Sequence, residues 1–442
     1  MTKISDWQIP PSVTHNLEHI PQDRPIALLI RHSVRDALPE GAAAYSLPIT
    51  EAGYALAHQL GTLLGDKLRS LHTSPLTRCT QTAEAMKAGA KKAIPILQNR
   101  LLGDPGVFVL DGKFAWTNWE SIGHKKVMEH LLSASTALPG MARPTEAARY
   151  LVRQLLALGG NTPGIHTFVT HDSIVAPTVS HMLQAPLSMG NWPWFLEGAF
   201  FWQDGNQVHT VYRSFHESSD ADRLCQFSKN DVIEFAKREI AATIGLDSPA
   251  RFFLAGGAFK SLITGKNPRD LDLWAPSIQD RQLLVQTLHK RGAKSLSGRP
   301  FADAFELADR IIELPHKVGP ESLDERLALF DISVSAIGVE HHGNETWSAL
   351  IHPLAVKSLK QREVLLLKPL VNWKYGLTTL ERMRRYAVEL SFSSQAEEES
   401  AVWQIFDSQS EEWQTGMIER YKRTCLGGFN VLQEIKKRQK RM

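Results

Sequence analysis

PIALLIRHSVR, Pro25 to Arg35, is the stretch from which the rest of the chain can be ordered. Ile26 to Ile30 is an unbroken apolar run. Such runs form central strands of sheets that are covered on both faces. The run stops directly at Arg31-His32-Ser33-Val34-Arg35, and residues just past the carboxyl end of a strand in an α/β sheet face the ligand crevice. Two arginines around a histidine suit one task. Guanidinium groups hold a tetrahedral phosphate while imidazole attacks phosphorus, giving a phosphoenzyme that water hydrolyses.

Outward from this strand the chain alternates. Thr50 can cap a helix carrying Leu56, Leu60, Leu63 and Leu64 at helical spacing. Arg69 to Thr73 reads as a short strand and Thr77 to Met86 as a helix. Thr145 opens an amphipathic helix, and Gly164 introduces a strand at Ile165 to Thr170. Strands and helices in alternation predict a layered α/β domain. Ser214 to Asp222 (SFHESSDAD) holds almost no core residue and reads as a linker. Beyond it, Ser228 and Asp231 form a capping box, the chain is strand-rich to about Gly343, and from Thr378 it is helical.

A second strand end carries Thr170-His171-Asp172, and Ser74-Pro75-Leu76-Thr77-Arg78 supplies a third arginine. With these segments, roughly the first 210 residues resemble the histidine phosphatase superfamily. Arg31-His32-Ser33 matches its Arg-His-Gly signature with Ser for Gly, and Thr73 to Glu84 is nearly literal. The resemblance implies His32 as nucleophile and Arg31, Arg78 and His171 as phosphoryl ligands, with no cofactor. Arg35 and the His-Asp pair look like the acid-phosphatase branch, which implies Asp172 as general acid. Asp104, in Gly103-Asp104-Pro105-Gly106, is the weaker candidate.

A separate pattern follows. Arg251 to Ala255 reads as a strand leading into Gly256-Gly257-Ala258-Phe259-Lys260-Ser261, and Asp270-Leu271-Asp272 comes next. Carboxylates two apart on a strand share a face and can hold Mg²⁺ between protein and triphosphate. Paired glycines let backbone amides approach phosphates. This half, residues 230–395, resembles the nucleotidyltransferase head of class II CCA-adding enzymes and bacterial poly(A) polymerases. Ala304 to Leu314 looks like a hairpin presenting a third carboxylate, Glu313. Phe330 to Ile337 is similar to the family's RDFTINAL segment and Glu381 to Ala387 to its neck helix. The resemblance implies Mg²⁺ on Asp270, Asp272 and Glu313, with Gly256, Gly257 and Lys260 on the triphosphate. Asp331, Arg382 and Arg385 would lie around the incoming nucleotide. Leu329, Phe330 and Thr379 stand where the family has arginines, and no Glu-Asp-x-x-Arg occurs.

The expected architecture is a three-layer α/β phosphatase domain at 1–218, an α+β transferase head at 228–360, and a helical neck with a basic tail at 361–442. The expected function is a bifunctional enzyme taking a phosphomonoester and a nucleoside triphosphate, with an RNA 3′ end as acceptor. A small-molecule acceptor, or a non-catalytic nucleotide- or RNA-sensing second domain, is the alternative.

Composition limits these readings. The chain has 442 residues, 43% hydrophobic and 22% charged, which excludes wholesale disorder. Net charge is +3, but Glu419 to Met442 carries eight Lys/Arg and two Glu, so the preceding residues sum to −3. Basicity therefore belongs to the tail (Lys422, Arg423, Lys436, Lys437, Arg438, Lys440, Arg441). That tail either clamps a nucleic-acid backbone or is a solvated helix end. Trp373, Trp403 and Trp413 read as core residues. Cys79, Cys225 and Cys425 are too few and too scattered for a disulfide framework. No apolar run reaches the ~20 residues of a membrane span. A reduced, cytoplasmic protein is expected.

Overall fold

A computed structural model describes residues 7–37, 45–134, 136–183, 187–225, 227–297, 301–343, 346–425, 429 and 431–439. The chain divides into two compact units, Met1–Leu224 with Thr264–Lys266, and Cys225–Ile263 with Asn267–Met442.

The first unit contains strands β1 (Pro25–Arg31), β2 (Leu68–Thr73), β3 (Ile96–Gln98), β4 (Gly164–Thr170), β5 (Gly198–Asp204), β6 (Gln207–Tyr212) and β7 (Phe215–Asp220). They form one sheet in the order β3-β2-β4-β1-β5-β6-β7. The four on the β3 side are parallel, and β5, β6 and β7 continue antiparallel. Its helices are α1 (Pro11–His19), α2 (Glu51–Leu64), α3 (Thr77–Gly89), α4 (Gly112–Ser133), α5 (Pro144–Gly159) and α6 (Asp172–Met182). Ile26, Leu28 and Ile30 bury one face of β1 with Val13 and Leu17 of α1, Leu60 of α2 and Met86 of α3. Ala27 and Leu29 alternate onto the other face and are equally buried, and α5 and α6 pack against β1 and β5. Covering on both faces is why β1 is apolar throughout. Thr50 caps α2 through a bond from the Gly53 amide, as its position predicts.

One expectation fails here. Ser214 to Asp222 is no linker: Phe215–Asp220 is β7, paired along its length with β6. It lies at the sheet edge, bonded on one side only, so its polar side chains need no core to face.

The second unit begins with α7 (Lys229–Ala242), opened by the reciprocal Ser228–Asp231 capping box. Then follow β8 (Arg251–Ala255), α8 (Ser261–Thr264), β9 (Leu271–Trp274), α9 (Ile278–Lys290), β10 (Lys294–Leu296), β11 (Ala302–Leu307) and β12 (Arg310–Pro315). The unit continues through α10 (Leu323–Ala328), β13 (Ile337–His342), β14 (Trp347–Ile351) and α11 (Pro353–Gln361). The sheet order is β10-β11-β12-β9-β8-β13-β14, with β9 and β12 parallel. Phe252 and Leu254 of β8 enter one core, with Phe235 and Phe259, while Phe253 and Ala255 enter another with Leu323 and Leu327. Helices α12 (Gly376–Leu390), α13 (Ala396–Asp407), α14 (Glu411–Thr424) and α15 (Val431–Gln439) complete the unit.

Candidate active sites

The first site follows from strand pairing. Arg31 and Thr170 are register partners on adjacent parallel strands, so His32 and His171 leave the sheet side by side. The His32 amide donates to the Thr170 carbonyl at 2.8 Å, and the two imidazole centroids lie 5.5 Å apart. His32 Nδ1 is 2.8 Å from the Ser33 carbonyl. With Nδ1–H donated there, Nε2 keeps its lone pair. Burial first, then His171, Arg31 and Arg78, holds His32 well below its ordinary value of 6.5. Burial and Arg78 bring His171 down to about 3, so both rings are neutral at physiological pH.

Ser33, which replaces the signature glycine, is accommodated away from these rings. Its hydroxyl donates to the Gly53 carbonyl at 2.6 Å, and its amide to Thr82 Oγ1 at 3.0 Å. Gly53 permits the approach, because a Cβ there would lie 2.3 Å from the Val34 carbonyl oxygen.

Arg31, Arg35 and Arg78 all carry guanidinium groups disfavoured by burial. Arg31 donates to the Pro193 carbonyl at 2.6 Å, pairs with Asp172 Oδ2 at 2.8 Å, and lies 4.0 Å from the Phe195 ring centroid. Arg78 Nη2 is 3.4 Å from His171 Nδ1, and the other nitrogen of that ring is 3.1 Å from Ser74 Oγ. Arg35 reaches outward to the Asp36 carbonyl at 2.7 Å. Burial alone would raise the Asp172 carboxyl, but Arg31, Trp192 and the Ser173 amide outweigh it and hold the group below 3.8. Asp172 is therefore an ionised partner of Arg31 in the free site. Asp104 follows Gly103 and pairs loosely with Arg100 at 3.5 Å. Ser74 and Phe195 were missed by sequence reasoning; Ser74 lies inside the quoted 73–84 segment, while Phe195 carries no motif.

The second site is built on β9 and β12, where Asp272 and Glu313 are direct register partners. Burial, Asp270 and Glu313 together push the Asp272 carboxyl up to about 7. The hairpin bringing Glu313 there turns through Ala308 and Asp309, both at positive φ, one residue before the expected Asp309-Arg310, and Arg310 already pairs with Leu307. Gly256 has φ +113°, and a Cβ on it would sit 3.3 Å from Asp272 Oδ2, so the glycine loop seats directly on this carboxylate.

Asp270, Asp272, Glu313, Gly257, Asp331, Arg382 and Arg385 share the lining of a cavity of about 740 Å³. Arg382 donates from Nη1 to both Asp331 oxygens at 3.0 Å, and the Thr379 hydroxyl donates to one of them at 2.7 Å. Thr379, where the resemblance predicts an arginine, is thus a partner of Asp331. Arg385 leans on Glu381 at 3.5 Å, itself bonded to the Tyr421 hydroxyl at 2.7 Å. Lys260 departs from expectation. Its ammonium pairs with Glu389 at 2.6 Å and lies 3.9 Å from the Tyr386 ring, outside the lining. The glycine turn continues as a 3₁₀ segment, Gly257–Lys260, which directs Lys260 to the neck helix.

The donor chemistry suits a hard divalent cation: Asp272 and Glu313 are paired across the strands with Asp270 two residues away, and a cation would offset the burial and like charge that raise Asp272. Asp270 is turned to Arg269 at 2.7 Å. Among the described residues no three acidic, imidazole or thiol groups already close around one point. Trp274 and Arg326, unnoticed in the sequence, also line the cavity. Burial pushes the Arg326 guanidinium down to about 10, against the pull of Asp272.

In the tail, Lys422 pairs with Glu419 at 2.9 Å, and Arg438 pairs with Asp407 at 2.5 Å over the Trp403 ring. Lys440 and Arg441 lie outside the described residues. Trp403 is buried, but Trp413 is 39% exposed and stands edge-on to Trp373, with centroids 5.2 Å apart. Trp413 is at the surface rather than in the core because α14 presents it beside the polar Lys374, while Trp373 is half-buried. Among the described residues no helix is long and apolar enough to cross a membrane.

Residues 27–195 match the profile of the Histidine phosphatase superfamily (branch 1), so the first unit carries a histidine phosphatase domain. The match is to branch 1, which corrects the expectation of the acid-phosphatase branch drawn from Arg35 and the His171-Asp172 pair. No curated protein sequence matches the chain. Solved structures similar to it include a tRNA-processing enzyme, 18% identical over 49% of this chain and 64% of that chain, TM-score 0.32. The Thermotoga maritima CCA-adding enzyme complexed with tRNA is 12% identical over 50% and 54%, TM-score 0.33. A phosphoserine phosphatase from Entamoeba histolytica, a mutant in complex with phosphoserine, is 14% identical over 43% and 96%, TM-score 0.31. The matches to the first two enzymes thus take in less than two thirds of their lengths.

Proposed function

We propose that the chain is a bifunctional enzyme: a phosphomonoesterase working through phosphohistidine, and a Mg²⁺-dependent nucleotidyltransferase acting on a hydroxyl, with an RNA 3′ end as acceptor. The phosphatase half rests on the neutral His32, with Nε2 free, set beside His171 and the buried Arg31 and Arg78. His32 Nε2 attacks phosphorus, the P–N bond forms, and the bond to the leaving oxygen breaks. The incoming phosphate competes with Asp172 for Arg31, and its negative charge raises the carboxyl so that it takes up a proton from solvent. Asp172 then gives its proton to the leaving oxygen. Water attacks the phosphohistidine, its proton returns to Asp172, and inorganic phosphate and free His32 are released.

The transferase half rests on the register pairing of Asp272 with Glu313 beside Asp270, at the edge of the 740 Å³ cavity. Asp270, Asp272 and Glu313 would hold Mg²⁺, which when bound lowers the pKa of an attacking hydroxyl and neutralises phosphate charge. The protein's own work is positioning. The glycine turn lies against Asp272, and Asp331, fixed by Arg382 and Thr379, lines the same cavity. The hydroxyl attacks the α-phosphorus and pyrophosphate leaves.

A small-molecule acceptor is the second reading, supported by tail cations such as Lys422 and Arg438 being occupied by the chain's own carboxylates. The test is incubation with Mg²⁺, each α-labelled nucleoside triphosphate, and RNA. Labelled RNA supports the main reading, and a labelled small product the second. No labelled product at all removes the transferase from both. Acid-stable or base-stable label is informative in parallel: base-stable, acid-labile ³²P on the protein, absent in His32→Ala, marks phosphohistidine.

A further inference from the structure

The second cavity contains two buried donors that the chain itself leaves unanswered. Arg326, on α10, is 6% exposed, and its Nε has no hydrogen-bond partner. Among the described residues the guanidinium has neither an acceptor nor a carboxylate at ion-pair distance. The Trp274 indole Nε1 is likewise buried without a partner. The groups are neighbours: Arg326 Cζ lies 3.9 Å from the Trp274 ring centroid and 5.5 Å from that of Phe330. Trp274 and Phe330 meet edge to face, centroids 6.3 Å apart, so the three side chains form one stack. Trp274 follows Asp272 by two residues on β9, which puts both on one face, and all four residues line the same cavity.

A buried guanidinium without a counter-ion is expensive, and both groups can only donate. The other arginines lining the cavity differ: Arg269 is held by Asp270, Arg382 by Asp331 and Arg385 by Glu381. What is missing beside Asp272 is an anion made of acceptors. We infer that Arg326 and Trp274 form the polyphosphate-binding edge of this site, contacting phosphoryl oxygens of the nucleoside triphosphate, with Phe330 holding the guanidinium in its stack. The inference rests on the nucleotidyltransferase reading and names residues which that reading does not use.

Calorimetric titration of the full chain tests it, with magnesium tripolyphosphate, a magnesium α,β-methylene nucleoside triphosphate and the matching nucleoside as probes. Arg326→Gln should weaken both triphosphate probes by about 10- to 100-fold, the range of a lost charge-assisted bond, and leave nucleoside binding unchanged. Arg326→Lys should lose less. Trp274→Phe, which keeps the stack and removes the indole donor, should weaken tripolyphosphate by roughly 3- to 10-fold. Equal triphosphate affinities in wild type and all three variants overturn the inference while leaving the transferase reading standing. An equal loss for nucleoside and triphosphate also overturns it, by assigning the stack to the base. Wild type that binds neither triphosphate probe overturns the reading, and the inference with it.

Discussion

His32 and Asp272 are both shifted by burial, and in opposite directions relative to the charge each must carry. His32 and His171 are neutral because burial disfavours the imidazolium. Their folded values lie below the ordinary 6.5, so this contribution to stability is complete above pH 6.5 and is lost as pH falls through the folded values. Thermal melts should show Tm declining from pH 6.5 toward 4, while kcat for dephosphorylation keeps no acid limb near 6.5. Asp172→Asn should separate acid catalysis from positioning. Turnover of an alkyl phosphate should fall about 100-fold or more, but that of a nitrophenyl phosphate by less than ~10-fold; equal losses would make Asp172 only a partner of Arg31. Asp272 behaves inversely. Its folded value near 7 exceeds the ordinary 3.8, so its neutral form favours the fold at low pH and that support disappears as pH rises through 7. Asp272→Asn should therefore raise Tm in magnesium-free buffer at pH 8, at roughly 2–4 °C per kcal/mol relieved, with little gain at pH 5.

The elements carrying both sites were legible because their signals are local. A strand apolar on both faces ends in Arg-His, a capping threonine opens α2, and a turn at Asp309 closes the hairpin that delivers Glu313. What escaped was decided by tertiary position. Phe215–Asp220 looks like a linker because an edge strand has no core to match. Lys260 was expected on phosphate, but the 3₁₀ turn after the glycines sends it to Glu389. Arg326 reaches its cavity from a six-residue helix with no sequence pattern to announce it. The neck helix offers a test at this scale. Arg384 of α12 holds Glu399 of α13 and Glu434 of α15, each at 2.7 Å. Arg384→Ala should lower the stability of the second unit by about 1–3 kcal/mol and expose α15 to proteolysis. Unchanged denaturant midpoints would remove that clamp from the account.

For the whole molecule, the proposed function gives the two units two phosphoryl chemistries, and one physical logic would link them: a terminal phosphate blocks the hydroxyl that nucleotidyl transfer requires. If RNA is the acceptor, its contact with the chain should be modest, since the body is acidic and part of the basic tail is paired internally. Lesions in the two sites should therefore act separately on dephosphorylation and transfer, and in sequence on a blocked end. The most direct measurement is extension of one RNA prepared with either a 3′-hydroxyl or a 3′-phosphate, using Mg²⁺ and labelled nucleoside triphosphates. Wild type should extend both, and His32→Ala only the 3′-hydroxyl form. Asp270→Ala with Asp272→Ala should extend neither while still releasing phosphate. Wild type that leaves the 3′-hydroxyl RNA unextended, or His32→Ala that extends the 3′-phosphate RNA as well as wild type does, would contradict the account.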